Sequence, residues 1–78
     1  MERNELIKLL TNKVKSFPDM GIHINDNVGG MELDHINFEE ESASLVVGHF
    51  LDGELICDDI ENRTTKELQD LWEYFATK

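Results

Sequence analysis

His23, His35, His49 and Cys57 are the side chains of this 78-residue chain best suited to hold a metal or activate a nucleophile. All four fall in segments with the alternating pattern of strands. A metal site needs such ligands to converge and to be backed by hydrogen-bonded partners. An Asp52-Gly53 hairpin would set His49 opposite Ile56 and turn Cys57 to the other face, so that pair is not expected to ligate together. Cys57 also sits beside Asp58 and Asp59, whose charge opposes thiolate formation. Adjacent acids such as Asp58–Asp59 are expected by chance where 17 of 78 residues are carboxylates. The expectation is therefore half-buried structural histidines, no metal, no cofactor and no enzyme.

Asn25-Asp26-Asn27-Val28-Gly29-Gly30 invites a calcium reading. Counted from Asn25, however, loop position 5 is Gly29 and position 12 is Ile36, where an EF-hand needs oxygen ligands. The glycines suit a turn with positive φ. They do not make a phosphate cradle, since no Lys or Ser/Thr follows them and the surroundings are acidic. Asn62-Arg63-Thr64 matches a glycosylation sequon, but Thr64 is better placed as a helix cap.

The elements that position these residues follow from periodicity. Leu6, Ile7, Leu10, Val14 and Phe17 lie at helical spacing over residues 3–16, and Pro18 disfavours helical geometry at Phe17. Thr64 with Glu67 forms a capping-box signature, and Leu68, Leu71, Trp72 and Phe75 follow at i, i+3, i+4 and i+7. Between the helices the period is two. Residues 21–25 read as a short strand, followed by a turn over 26–30. Met31 to Asp34 alternates, then Ile36 and Phe38 switch parity, which implies either a bulge near Asp34–His35 or an exchange of faces at an edge. Glu39 to Ser42 reads as an exposed turn. Asp52-Gly53, between Ala43–Leu51 and Glu54–Ile60, sets Leu51 opposite Glu54, Phe50 opposite Leu55 and Gly48 opposite Cys57. One face then carries Leu45, Val47, His49, Leu51, Ile56 and Ile60 with Glu54 and Asp58. The other carries Val46, Phe50, Leu55 and Cys57 with Asp59. A sheet with one wet face would alternate more cleanly, so both faces are expected to be covered, either by a helix on each or, the favoured reading, by helices on one and a second copy on the other. The fold class is α+β, a single domain over 1–78, with an antiparallel sheet of three to four strands in the order α-β-β-β-β-α, forming a homodimer.

A chain this short buries only about 60% of its unfolded surface. One cysteine forms no internal disulfide and fits a reducing compartment. No stretch approaches the roughly 20 apolar residues of a membrane span, and the N-terminal segment is interrupted by Arg3, Glu5 and Lys8, unlike a signal peptide. A cytoplasmic protein is expected.

Charge is the most uneven property of the chain. Residues 16–62 contain no Lys or Arg and twelve carboxylates, residues 1–15 sum to +2 and residues 63–78 to zero, which gives the net −10. Such a field repels nucleic acid and anionic membranes and attracts basic protein surfaces. Glu32, Asp34, Glu39, Glu40, Glu41, Asp52, Glu54, Asp58, Asp59 and Glu61 are the candidate partner-binding residues. Alternate strand residues face one way at about 6.6–6.8 Å, so Glu32 with Asp34 and Glu54 with Asp58 would form rows of carboxylates imitating phosphates. In size, charge and α+β dimer architecture the chain resembles the small acidic DNA-mimic proteins of bacteriophages and mobile elements. Those include anti-restriction and anti-CRISPR proteins and inhibitors of the histone-like nucleoid protein HU. The resemblance implies a DNA-mimicking inhibitor that occupies the DNA-binding groove of a basic host protein: HU, or a restriction or CRISPR effector. It implies no direct nucleic-acid binding and no membrane partner. The basic face of the first helix (Lys8, Lys13, Lys15) departs from that pattern. Two alternatives share the same acids: a small homodimeric interaction module, and an immunity- or antitoxin-type nuclease inhibitor.

Overall fold

The computed structural model describes residues 1–77. Helix α1 (Arg3–Lys15) is followed by strands β1 (Gly21–Val28), β2 (Met31–Glu39), β3 (Ser44–Leu51) and β4 (Glu54–Asp59), and then by helix α2 (Thr65–Ala76). The four strands form one antiparallel sheet in the order β1-β2-β3-β4, so every connection joins neighbours. This is the α-β-β-β-β-α order read from the sequence. Short 3₁₀ turns at Pro18–Met20 and Ile60–Asn62 lead into β1 and out of β4. Among the described residues no helix is long and apolar enough to cross a membrane.

Each element has a local cause. The helical run of α1 ends at Lys15, and Phe17 is extended before Pro18. Helix α2 starts on the expected capping box: Thr64 Oγ1 accepts from the Glu67 amide at 3.1 Å, and Glu67 Oε1 accepts from the Thr64 amide at 2.8 Å. Lys66 and Asp70 add an exposed i,i+4 pair at 2.8 Å, and the Asp70 carboxylate holds the Lys66 ammonium above its usual 10.5. In the β3–β4 turn, Asp52 and Gly53 both take positive φ (52° and 82°), the primed geometry whose twist matches the strands. The register Leu51–Glu54, Phe50–Leu55, Gly48–Cys57 is the expected one.

One sheet face is covered by both helices. Leu6, Leu10 and Val14 of α1 and Leu68, Leu71 and Phe75 of α2 share a core with Val28, Met31, Leu33, Ile36, Leu45, Val47 and Ile60. Burial of each such side chain stabilises the fold by about 1.5–3 kcal/mol relative to exposure. Lys13 and Lys15 do not reach the sheet acids; their ammonium groups stand over the rings of Phe17 and Phe38 at 5.7 and 4.7 Å. Leu51, expected with the covered face, lies beyond the helices at the hairpin tip and is 55% exposed.

Two corrections concern β1. It runs to Val28 rather than stopping near Asn25, and the turn is Gly29-Gly30 alone. Asn25, Asp26 and Asn27 are poor strand formers, but β1 is an edge strand, where they remain exposed. The register shifts between His23 and Asp26, and Asn25 takes a positive φ of 49°.

Candidate functional site

The meander places its turns at two ends, and the carboxylates gather there. At one end lie the Gly29-Gly30 and Asp52-Gly53 turns, with exposed Asp26, Glu32, Asp52 and Glu54. At the other lie the β2–β3 turn with exposed Glu39, Glu40 and Glu41, and the end of β4 with Asp59 and Glu61. Residues 44 to 51 of β3 run between the ends, about 23 Å at strand rise. Among the described residues, none of Glu32, Glu40, Glu41, Asp52, Glu54 and Glu61 forms an ion pair. Glu39 accepts from Asn37 Nδ2 at 2.8 Å. Asp59 takes the Ser44 hydroxyl at 2.7 Å and the Glu61 amide at 2.9 Å. Arg3 approaches this end only to donate to the Glu61 carbonyl.

Two of the ten expected partner-binding acids are drawn away from these ends. Asp34 occupies a β-bulge, the register slipping between Leu33 and His35. Two successive side chains at a bulge can lie on one side of the sheet, and Asp34 Oδ2 meets His35 Nδ1 at 2.8 Å. The expected Glu32–Asp34 row is thus interrupted. Asp58 and Glu54 do share a side, but it is the helix-covered one. Asp58 Oδ2 accepts from Arg63 Nη2 at 3.0 Å, and its other oxygen lies 3.8 Å from buried His49 Nε2. Asp26, at the first end, is an exposed acid that the strand-spacing argument passed over.

The uncovered face has a different middle. His23 pairs with His35, His35 with Gly48, and Gly48 with Cys57, so one row crosses all four strands. A Cβ on Gly48 would stand 2.2 Å from His35 Cε1; its absence lets the imidazole lie across β3 toward β4. His35 Nε2 is 3.9 Å from Cys57 Sγ, and the His23 and His35 rings meet edge-on with centroids 6.1 Å apart. As expected, Cys57 and His49 occupy opposite faces; the histidine near the thiol is His35. A shallow depression of about 540 Å³ beside the row is lined by Gly21, His23, Asp34, His35 and Asn37 among others. Val46 is half-buried, and Phe50 and Leu55 are 39% and 48% exposed around the row.

Chemically, the ends can attract cationic groups over a wide area, and the middle offers a thiol and an imidazole with a carboxylate behind it. Comparison with protein-family models, with curated proteins and with solved structures returned no match.

Proposed function

We propose that this protein is a DNA-mimicking inhibitor whose two acidic ends enter the DNA-binding groove of a basic nucleic-acid-binding protein. The observation that carries this reading is the pair of unneutralised carboxylate groups at opposite ends of one hydrogen-bonded sheet, in a region without a single Lys or Arg. A charged surface serving only solubility would mix both signs. Here Lys13 and Lys15 of α1 rest on aromatic rings, Arg63 is held by Asp58, and Arg3 meets only the Glu61 carbonyl, which leaves the carboxylates of both ends without an ion-pair partner among the described residues.

The magnitude is suited to the role. A net −10 spread over a longest extent of 30 Å is one charge per 3 Å, roughly half the density of duplex DNA, which carries one per about 1.7 Å. A sheet already ordered by its own hydrogen bonds avoids the ordering cost of a flexible acidic tail. The working residues are Glu32, Asp52 and Glu54 at one end and Glu39, Glu40, Glu41, Asp59 and Glu61 at the other. Partners of the right chemistry are nucleoid proteins such as HU and the DNA channels of restriction or CRISPR effectors. The chain itself, by its charge, does not bind nucleic acid.

Capture from bacterial lysate at low salt, with stepwise salt elution and duplex competition, tests the reading. Basic DNA-binding proteins eluting at moderate salt and displaced by duplex support it. A partner held through high salt and indifferent to duplex points instead to an aromatic-anchored nuclease inhibitor.

A further inference from the structure

We infer that the uncovered sheet face carries half of a tetrahedral metal site, His35 Nε2 with Cys57 Sγ, which a second copy of this chain completes around zinc or a similar soft divalent ion. The inference does not rest on the acidic-end reading.

The arrangement is built by three strands. Gly48 clears the path for the His35 ring across β3, since a Cβ there would stand 2.2 Å from His35 Cε1. Asp34 Oδ2, 2.8 Å from Nδ1, only accepts when ionised, so Nδ1 keeps the proton and the Nε2 lone pair faces Cys57. Carboxylate, imidazole and metal in line is the usual way a protein orients a histidine ligand. Tetrahedral zinc, with bonds of about 2.3 Å to sulfur and 2.0–2.1 Å to nitrogen, sets those two ligands about 3.6 Å apart. The observed 3.9 Å is close to that separation.

The same three groups also have the order of a nucleophile, a base and an orienting carboxylate. Their surroundings decide between the two. Glu32, Glu39 and Asp59 share the face, Asp58 adjoins Cys57, and residues 16–62 contain no Lys or Arg. A field of that sign attracts a divalent cation. On binding, each Cys57 thiol releases its proton to solvent and the ion takes its place.

One copy supplies too few ligands. Among the described residues no three His, Cys, Asp or Glu side chains converge to hold an ion, and His23 meets His35 ring to ring. A twofold axis through the ion would bring a second His35 and Cys57 and close a Cys₂His₂ set. That contact would also cover Val46, Phe50 and Leu55, the apolar residues around the row on this face. The carboxylates at the sheet ends stay at its margin, and the divalent ion offsets the two thiolates at its centre, with the Asp34 carboxylate of each copy behind its histidine.

The test is titration of the metal-free chain with cobalt(II) and zinc, followed by light scattering for mass and by cobalt absorption for ligand geometry. The expected result is a dimer with one ion per two chains, an intense tetrahedral cobalt spectrum and a sulfur-to-cobalt band. C57S and H35A should each abolish all three while leaving urea unfolding near wild type. D34N should weaken binding about 10–100-fold, G48A at least tenfold, and H23A should bind as wild type. One ion per monomer, a requirement for His23, a dimer indifferent to C57S, or only the weak octahedral cobalt spectrum of surface carboxylates would overturn the inference.

Discussion

Replacing Arg63 with methionine removes the cation that holds Asp58 on the covered face. The Arg63 and Asp58 side chains are 15% and 28% exposed and meet at 3.0 Å. Behind them His49 Nε2 and Asp58 Oδ1 are enclosed, 3.8 Å apart and without a hydrogen-bond partner. A hydrogen bond to a charged group is worth about 1.5–3 kcal/mol, and losing one partner leaves the other half-buried. Partial exposure argues against the 3–5 kcal/mol of a fully buried pair, so about 2 kcal/mol is expected. A 78-residue domain has about 4–12 kcal/mol in total, so the loss is a large share. Urea unfolding followed by Trp72 fluorescence reads it as a midpoint lowered by roughly 2 M at a slope near 1 kcal/mol/M. Asp58→Asn alone should cost about 1 kcal/mol, and the double variant about 1–1.5 kcal/mol less than the sum, because each single change leaves a stranded partner. Single effects below about 0.5 kcal/mol, or strict additivity, would refute the assignment. Asp58→Asn should also leave partner capture intact, since Asp58 belongs to neither acidic end.

Thr64→Ala removes the α2 cap and should cost about 1 kcal/mol, a fall of roughly 4–8 °C in Tm by circular dichroism. Leu10→Ala, at a fully buried position of α1, should lose about 3–4 kcal/mol; an effect near 1 kcal/mol by urea titration would mean that α1 is not docked as described. Lys66 is held above 10.5 chiefly by the Asp70 hydrogen bond, so that stabilisation is complete below 10.5 and fades as pH rises through the raised value. By NMR titration, Asp70→Asn should return the Lys66 midpoint to the ordinary lysine range, and an unchanged midpoint would contradict the contact.

Element order was legible because each segment carries its own local signal. The change of period from 3.6 to 2, the Thr64–Glu67 box and the Asp52-Gly53 turn each act over a few residues, and all three appear as read. The parity switch between Leu33 and Ile36 marked an irregularity near Asp34–His35, a bulge or a face exchange, and the structure has the bulge. What stayed hidden depends on distant chain segments. The extension of β1 through Asn25–Asn27 comes from pairing with β2, not from residues suited to strands. Which face the helices cover is unreadable in β3, where Leu45-Val46-Val47 and Phe50-Leu51 place apolar groups on both sides. The hairpin gave Gly48 opposite Cys57, one step from the site. The missing step was the β2–β3 register, set by the four-residue turn 40–43 and by the bulge, and no short motif encodes it. The same distance effect hid the pairing of Asp58 with Arg63, which needs the 3₁₀ turn after β4 to bring the guanidinium back.

The most direct test of the acidic-end account is competition. A basic DNA-binding protein captured by the chain would be titrated with duplex DNA over a range of salt. A parallel titration would use a variant in which Glu39, Glu40, Glu41, Asp52 and Glu54 are replaced by Gln or Asn. The account predicts that duplex displaces the wild-type chain, that affinity falls steeply and linearly on a log–log salt plot, and that the variant folds but no longer competes. A variant that competes as well as wild type, or binding that ignores both salt and duplex, would contradict it.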